Sequence, residues 1–318
     1  MHMKVPIGSS LLSALLREIQ ICRPTLRLIA DDFSVGQSPD VALLSAASVR
    51  GARQMLMVGQ GLKHMDFNLG IHALLNSETP ALLAQKWGQL ERYGREMVAT
   101  EAIEAQDGRI LFRRHALDGS SLNETDNLLV YGVLYSLFQR YGCDGLTGTV
   151  IGENGEIRLT YTERELRAGD MPVVKPDDLW LLQWSGLQRR PQERFGISRR
   201  PDKASLLPVF GDVDRVLRTT ARLLAEDPCR HWTAEEIAAA QGLSKRTFQR
   251  RLTNRHTSFS RIVADVRTHQ AMWLLSEPGI NISLIGFWCG YSDNAHFSRE
   301  FKKKTGLSPS DYRAKIAA

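Results

Sequence analysis

The sequence reads as an α+β protein. A mixed α/β N-terminal domain, residues 1–205, is followed by an all-α domain, residues 210–318, with two helix-turn-helix units at 233–254 and 282–304. Three observations carry this reading. Helical and strand-like apolar spacings alternate through the first two hundred positions, and two segments near the C-terminus repeat one another. The net charge of +6 is confined to the last third: from Asp212 onward there are 17 Lys/Arg against 11 Asp/Glu, while residues 1–211 hold 24 of each sign.

The N-terminal elements follow from periodicity. Ser10–Ile21 and Pro80–Ala105 have helical spacing, and Asn123–Tyr141 is a helix with Asn123 as cap and Leu129, Val133 and Leu137 in register. Strands are expected at Arg109–Arg114, Leu146–Ile151 and Glu156–Thr162, the last two joined by a Glu153-Asn154-Gly155 turn that signals a hairpin. A further strand, Asp178–Leu187, leads directly into a cluster of five arginines within Gln188–Arg200, QRRPQERFGISRR.

The C-terminal repeat is GLSKRTFQRRL from Gly242 and GYSDNAHFSREF from Gly290, each ending in F-x-R-x-(L/F), the second with one extra residue before its Phe. A short helical pattern precedes each, TAEEIAAAQ from Thr233 and ISLIGFWC from Ile282. Thr233 with Glu236 three residues on forms a capping box. Gly242 suits a left-handed turn position and Ser244 caps the next helix. Helix, short glycine turn, second helix is the helix-turn-helix plan. Phe248 and Leu252 then point inward, as do Phe297 and Phe301, while Lys245, Arg246, Gln249 and Arg250, and in the second unit Asn294, Ala295, Ser298 and Arg299, point outward. Arginine grips guanine, and Gln or Asn adenine, through paired hydrogen bonds. Between the units, Ile262, Val266, Met272 and Leu275 recur at helical spacing along Ser260–Pro278, so one long helix holds the two readers apart.

Composition excludes other classes. No run of 18 apolar residues suggests a membrane span, and Arg17 and Glu18 interrupt the apolar N-terminal run, which no cleavage site follows. The four cysteines, Cys22, Cys143, Cys229 and Cys289, lack metal or redox spacing and suit a reducing, cytoplasmic setting. No metal cluster, Walker loop, GxSxG or paired-carboxylate arrangement supports catalysis or a catalytic cofactor. Pro228-Cys229-Arg230-His231 resembles the Pro-Cys-His-Arg nucleophile motif of alkyl-transfer repair proteins, but its last two residues are swapped and it falls in a connector between helices.

From Val213 to Arg313 the chain resembles the DNA-binding domain of AraC/XylS-family transcription regulators, through FSREFKKKTGLSPSDYR and the Arg267, Ala271, Leu274 spacing on the linker helix. The resemblance implies that the two units enter adjacent major grooves of promoter DNA. By position it gives Lys245, Arg246, Gln249, Arg250, Asn294, Ala295, His296, Ser298 and Arg299 as DNA-binding residues. Asp293 reads as a helix cap, and Arg250 and Arg299 have phosphate contact or intradomain ion pairing as the alternative. The segment LGIHALLNSETPALLAQKWGQLERY is similar to the effector-domain opening of a subgroup of the same family. It implies a ligand-sensing, homodimerising domain, with activation through RNA polymerase as the family output.

Within the arginine cluster, Arg190 and Arg194 form RxxxR, and with Gln188 and Arg189 before them they resemble the RxxxR motif of PilZ domains, which bind cyclic di-GMP. Guanidinium forks suit a ligand with two phosphates and two guanines. Asp118 and Ser120 match the partner DxSxxG motif except that Asn123 replaces its Gly, and they precede the RxxxR, reversing the PilZ order, so the likeness implies the ligand chemistry and not the PilZ fold. The cyclic di-GMP set is thus Arg189, Arg190, Arg194, Asp118 and Ser120. The alternative is an amino acid or sugar effector held near residues 60–100, with the arginine cluster only a basic linker; Arg199 and Arg200, before Pro201, read as linker or phosphate contacts.

Overall fold

Strands that bury one face alternate, and this chain's second strand shows it: Ile110, Phe112 and Arg114 are buried while Arg109 and Arg113 face solvent. The computed structural model describes residues 56, 69–93, 98–120, 122, 124–162, 166–168, 178–188 and 214–317. Two units divide the chain, Met1–Gln192 and Glu193–Ala318.

The first unit begins with helices α1 (Leu69–Leu75) and α2 (Pro80–Tyr93). The hairpin β1 (Val98–Gln106) and β2 (Arg109–Ala116) follows, then α3 (Glu124–Tyr141), β3 (Cys143–Asp144), β4 (Thr147–Ile151), β5 (Ile157–Tyr161), β6 (Leu166–Ala168), β7 (Leu179–Gln183) and β8 (Gly186–Leu187). Six strands form one antiparallel sheet in the order β1-β2-β7-β4-β5-β6, and β3 pairs with β8 apart from it. Register aligns Phe112, Trp180, Val150 and Leu159 in one row across β2, β7, β4 and β5, and Ile110, Leu182, Gly148 and Tyr161 in the next. Gly148 leaves room for its neighbour, since a Cβ there would come within 2.5 Å of the Tyr161 ring.

Helix α3 covers this face. Its Tyr131 hydroxyl donates to the Thr149 carbonyl at 3.0 Å and Tyr135 to that of Leu146 at 2.9 Å, and the two rings lie tilted against Trp180 and Tyr161. Buried phenols need such acceptors, and here they come from β4 and the residue just before it. The α2 flank holds a buried polar cluster. The Glu91 carboxylate accepts from Thr100 N at 2.6 Å and Oγ1 at 2.9 Å and lies 3.8 Å from Arg114 Nε, while Arg114 Nη1 donates to Asn127 Oδ1 at 2.8 Å. Burial pushes the Glu91 carboxyl up, against the pull of Arg114 and Thr100.

Two sequence expectations need correction. The helix read over Pro80–Ala105 stops at Tyr93, and Val98–Gln106 is strand β1. Its Ala and Glu content favours helix, but pairing with β2 through the Gly108 turn (φ +79°) overrides that weak local preference. The strand read over Asp178–Leu187 is broken after Gln183, where Trp184 N donates to Gly108 O and Ser185 N to Asp144 O, so the chain changes partner from β2 and β4 to β3. The helix ending at Tyr141, the Arg109 strand and the β4–β5 hairpin, turned at Gly155 (φ +78°), match the expectation within a few residues. Ser10–Ile21 and the Asn123 cap lie outside the described residues.

The second unit is helical: α4 (Arg215–Glu226), α5 (Ala234–Ala239), α6 (Lys245–Thr253), α7 (Phe259–Ser276), α8 (Ile282–Trp288), α9 (Asn294–Thr305) and α10 (Pro309–Ala317). Its first core joins Val216, Leu217 and Leu224 of α4, Ile237 of α5, Phe248 and Leu252 of α6, and Ile262 and Val266 of α7. The C-terminal half of α7 buries Ala271, Leu274 and Leu275 on the side of α8, α9 and α10. Met272, placed in the same register by the sequence, is only half-buried.

Replacing Arg114 with Met leaves the Glu91 carboxylate buried without its cation. Arg114→Met is expected to lose about 3–5 kcal/mol in chemical denaturation at neutral pH. Because burial already raises Glu91 above its unfolded value, its protonated form favours folding, so the deficit shrinks as pH falls and grows as pH rises through the carboxylate range.

Candidate nucleic-acid interface

Both helix-turn-helix units are built by the same local devices. In the first, Thr233 Oγ1 accepts from Glu236 N at 3.2 Å and the Glu236 carboxylate accepts from Thr233 N at 2.7 Å, the capping box expected from the sequence. Gly242 adopts φ +67°, Leu243 N closes the turn on Ala238 O at 2.9 Å, and Ser244 Oγ accepts from Thr247 N to start α6. In the second, Asn281 caps α8, Gly290 adopts φ +76°, and Tyr291 N closes the same turn on Gly286 O at 3.1 Å. The extra residue of the second repeat falls after this shared bond, so Asp293 is the cap, accepting from His296 N at 2.7 Å. Hydrogen bonds from His296 N and Ser292 hold the Asp293 carboxyl below the usual range.

Helix α6 turns Phe248 and Leu252 into the core and leaves Lys245, Arg246, Gln249 and Arg250 exposed in one row, as the spacing predicts. In α9, Phe297 and Phe301 are buried and Ser298 and Arg299 are exposed, but Asn294 and Ala295 are partly covered rather than fully free. His296 does not join that row. Its ring is half-buried, with Nδ1 2.9 Å from Ser292 Oγ and its plane edge-on to Tyr291 at 5.5 Å, and it lines a partly open cavity.

The two faces differ in electrostatics. Helix α6 and the turn after it add exposed Arg251 and Arg255 to the row, and α9 ends in Lys302, Lys303 and Lys304. Arg251 belongs to the charge run QRR and Lys302–Lys304 to KKK, whereas Arg255 stands outside any such run. Lys245 is ion-paired with Glu235 of α5, whose carboxyl that contact holds below its usual range. Arg255 lies 3.7 Å from Asp214 and Lys304 2.6 Å from Asp265. Arg246 and Arg250 make no ion pair among the described residues.

In the first unit of the chain, Asp118 and Ser120 sit in an exposed turn after β2, where Ser120 N donates to Asp118 Oδ1 at 3.0 Å. The β2–β7 register pairs Arg109 with Gln183, so β7 and β8 deliver the chain to Gln188 at the opposite end of β2. An eight-residue strand separates the two places, about 24 Å at the usual rise. The structure thus does not bring Asp118 and Ser120 to the end where the arginine cluster begins. Arg189, Arg190, Arg194, Arg199 and Arg200 lie outside the described residues. At the Gln188 end, Thr79 and Pro80 of the α2 start, Asp107 and Gly108 of the β1–β2 turn, Trp184 and Leu187 line a cavity of about 750 Å³. Cys229 occupies the turn between α4 and α5, where it is buried and forms no disulfide. Among the described residues no helix is long and apolar enough to cross a membrane, and no group of His, Cys, Asp and Glu could hold a metal ion.

Residues 237–315 match the family described as helix-turn-helix domain. Over these residues the C-terminal unit is similar to a helix-turn-helix domain, in line with the resemblance to the AraC/XylS family. Among curated proteins, the porin thermoregulatory protein EnvY of Escherichia coli (strain K12) is 32% identical over 97 residues, 30% of this chain and 38% of that protein. The urease operon transcriptional activator of Escherichia coli is 30% identical over 91 residues, 29% and 31% of the two chains. The ornithine utilization regulator of Pseudomonas aeruginosa (strain PAO1) is 30% identical over 109 residues, 34% and 32%. The chain thus spans about a third of the length of the curated relatives it matches. A solved structure, transcriptional regulator CdpR from Pseudomonas aeruginosa, aligns over 97% of this chain at 16% identity, but its TM-score of 0.33 is too low to carry an argument.

Thr233 anchors the first unit through one side chain, so Thr233→Ala is expected to lower C-terminal-unit stability by about 1 kcal/mol, read from its denaturation midpoint.

Proposed function

We propose that the chain is a DNA-binding transcription regulator of the AraC/XylS type, an activator without enzymatic activity, working in the cytoplasm as a homodimer on promoter DNA with RNA polymerase as partner. The observation that carries this is the pair of helix-turn-helix units closed on one helix, with Arg246, Gln249 and Arg250 exposed together on α6 and Ser298 and Arg299 on α9. Such a row reads base edges while surrounding cations neutralise phosphates. The activating output is favoured by the urease operon activator among the relatives.

The sensory half of the proposal is that cyclic di-GMP binds the N-terminal domain through Arg190 and Arg194, with Arg189 beside them, and raises duplex affinity by linkage between the two binding events. Two features support it. The forks of RxxxR suit phosphate and guanine alike. The strand that leads to the cluster ends beside the cavity at Trp184 and Leu187, whose volume is ordinary for a ligand pocket. Asp118 and Ser120 enter only if the segment after Gln188 spans the length of β2. An amino acid or sugar effector is the competing reading.

Two measurements bear on these proposals. Arg250→Ala is expected to cost about 1–3 kcal/mol on the preferred duplex and to relax selectivity at one base position, whereas equal loss on every sequence would make Arg250 a phosphate anchor. Calorimetry with cyclic di-GMP should show binding that the Arg190→Ala, Arg194→Ala double variant abolishes. Tight binding that survives the double change removes the arginine site, and no binding to the unaltered chain removes the ligand.

A further inference from the structure

Within the C-terminal unit, the turn Pro228–Trp232, the N-terminal half of α7 and one side of α9 enclose a partly open cavity of about 340 Å³. Its ionisable lining is Arg230, His231, Arg267, His296, Glu300 and Lys304. Two of these charges are already matched: Arg230 Nη2 donates to Glu236 Oε1 at 2.9 Å and Lys304 Nζ to Asp265 Oδ1 at 2.6 Å.

Arg267 has no such match. Among the described residues no carboxylate lies within ion-pairing distance of it and it makes no hydrogen bond. Its guanidinium lies 5.8 Å from the centroid of the Tyr291 ring and packs on Gly290, where a Cβ would come within 2.8 Å of Nη2. The other groups around it, the Tyr291 phenol and the Cys289 thiol, are pushed up by burial and so are neutral. Burial also pulls Arg267 itself down from its ordinary value. An arginine stays protonated in proteins, so a positive charge is held in a mostly desolvated place, with the Tyr291 ring beside it and Glu300 on the same wall outside ion-pairing distance, which is costly unless an anion is supplied.

We infer that this cavity is an oxyanion site of the phosphate class centred on Arg267. The guanidinium provides the fork, and the His231 and His296 rings offer further N–H donors from the turn before α5 and from α9. Trp232, Tyr291 and Phe259 give the same cavity apolar walls, so a phosphate carried on a small organic group fits as well as a bare ion. Glu300 is the one carboxylate on the wall and sets a limit on the charge the site holds. The phosphate comes either from a free phosphorylated compound or from the backbone of a duplex. Because the cavity joins the turn leading into the first helix-turn-helix unit to the second unit's α9, an occupant there ties the two units together.

The free-phosphate arm stands without the DNA-binding proposal, and the duplex arm rests on it, so the two fail separately. Inorganic phosphate is titrated into the full ¹⁵N-labelled chain at constant ionic strength against chloride, observing the Arg267 Nε and Trp232 indole signals. A saturable shift specific to phosphate, weakened about tenfold or more in Arg267→Lys because the guanidinium fork is lost, supports a free-ligand site. For the duplex source, Arg267→Gln should lower the salt dependence of DNA binding by about one phosphate contact. If that variant does not fold, His231→Gln at the exposed rim serves both arms and should weaken binding several-fold. A chain whose two signals respond alike to phosphate and chloride, and whose salt dependence is unchanged by these substitutions, overturns the assignment.

Discussion

A helix of six or seven residues cannot bury an apolar face alone, and the C-terminal unit meets that constraint by closing two such helices on one long one. Helix α7 gives Ile262 and Val266 to the first core and Ala271, Leu274 and Leu275 to the second. Both helix-turn-helix units thus bury their apolar faces against the same long helix. The spacing of α6 and α9 is therefore a property of α7, whose 18 residues run to about 27 Å. Everything the two faces do together follows from that rigid ruler, including the cavity that lies along its N-terminal half.

The N-terminal unit solves a different problem. Its sheet has one face to cover, and α3 covers it with tyrosines whose hydroxyls end on carbonyls of β4, β7 and the residue before β4, so the helix is positioned by direction as well as by packing. The polar cluster of Glu91, Thr100, Arg114 and Asn127 then fixes α2 and α3 to the hairpin β1–β2. It is a buried charge pair, of the sort that specifies an arrangement more than it stabilises one.

How much of this was legible in the sequence depends on whether the signal is local. The caps at Thr233, Ser244 and Asp293, the left-handed glycines and the inward pairs Phe248/Leu252 and Phe297/Phe301 are local, and each appears where residue type and spacing put it. Strand β1 was not legible, because VATEAIEAQ has no local preference for strand and is one only by virtue of its partner. The same holds for the break between β7 and β8, which exists because Gly108 and Asp144 offer acceptors from distant parts of the chain. Of the candidate site residues, the α6 row follows from helical phase alone. The turning of His296 toward Ser292 and Tyr291 does not, since it depends on a side-chain contact across the turn that no periodicity reveals. The distance between Asp118 and Gln188 was equally hidden, because motif spacing is silent about which end of a sheet a turn occupies.

The first unit of the repeat presents long cationic and amide side chains, Arg246, Gln249 and Arg250, while the matching positions of the second are Ala295, Ser298 and Arg299, after one additional turn residue. Duplicated architecture has thus been given unlike tips, one with three long side chains and one with a single long side chain beside two short ones. A molecule with two identical tips could sit on a symmetric ladder in either orientation; this one has a front and a back, and whatever it lies along acquires a direction.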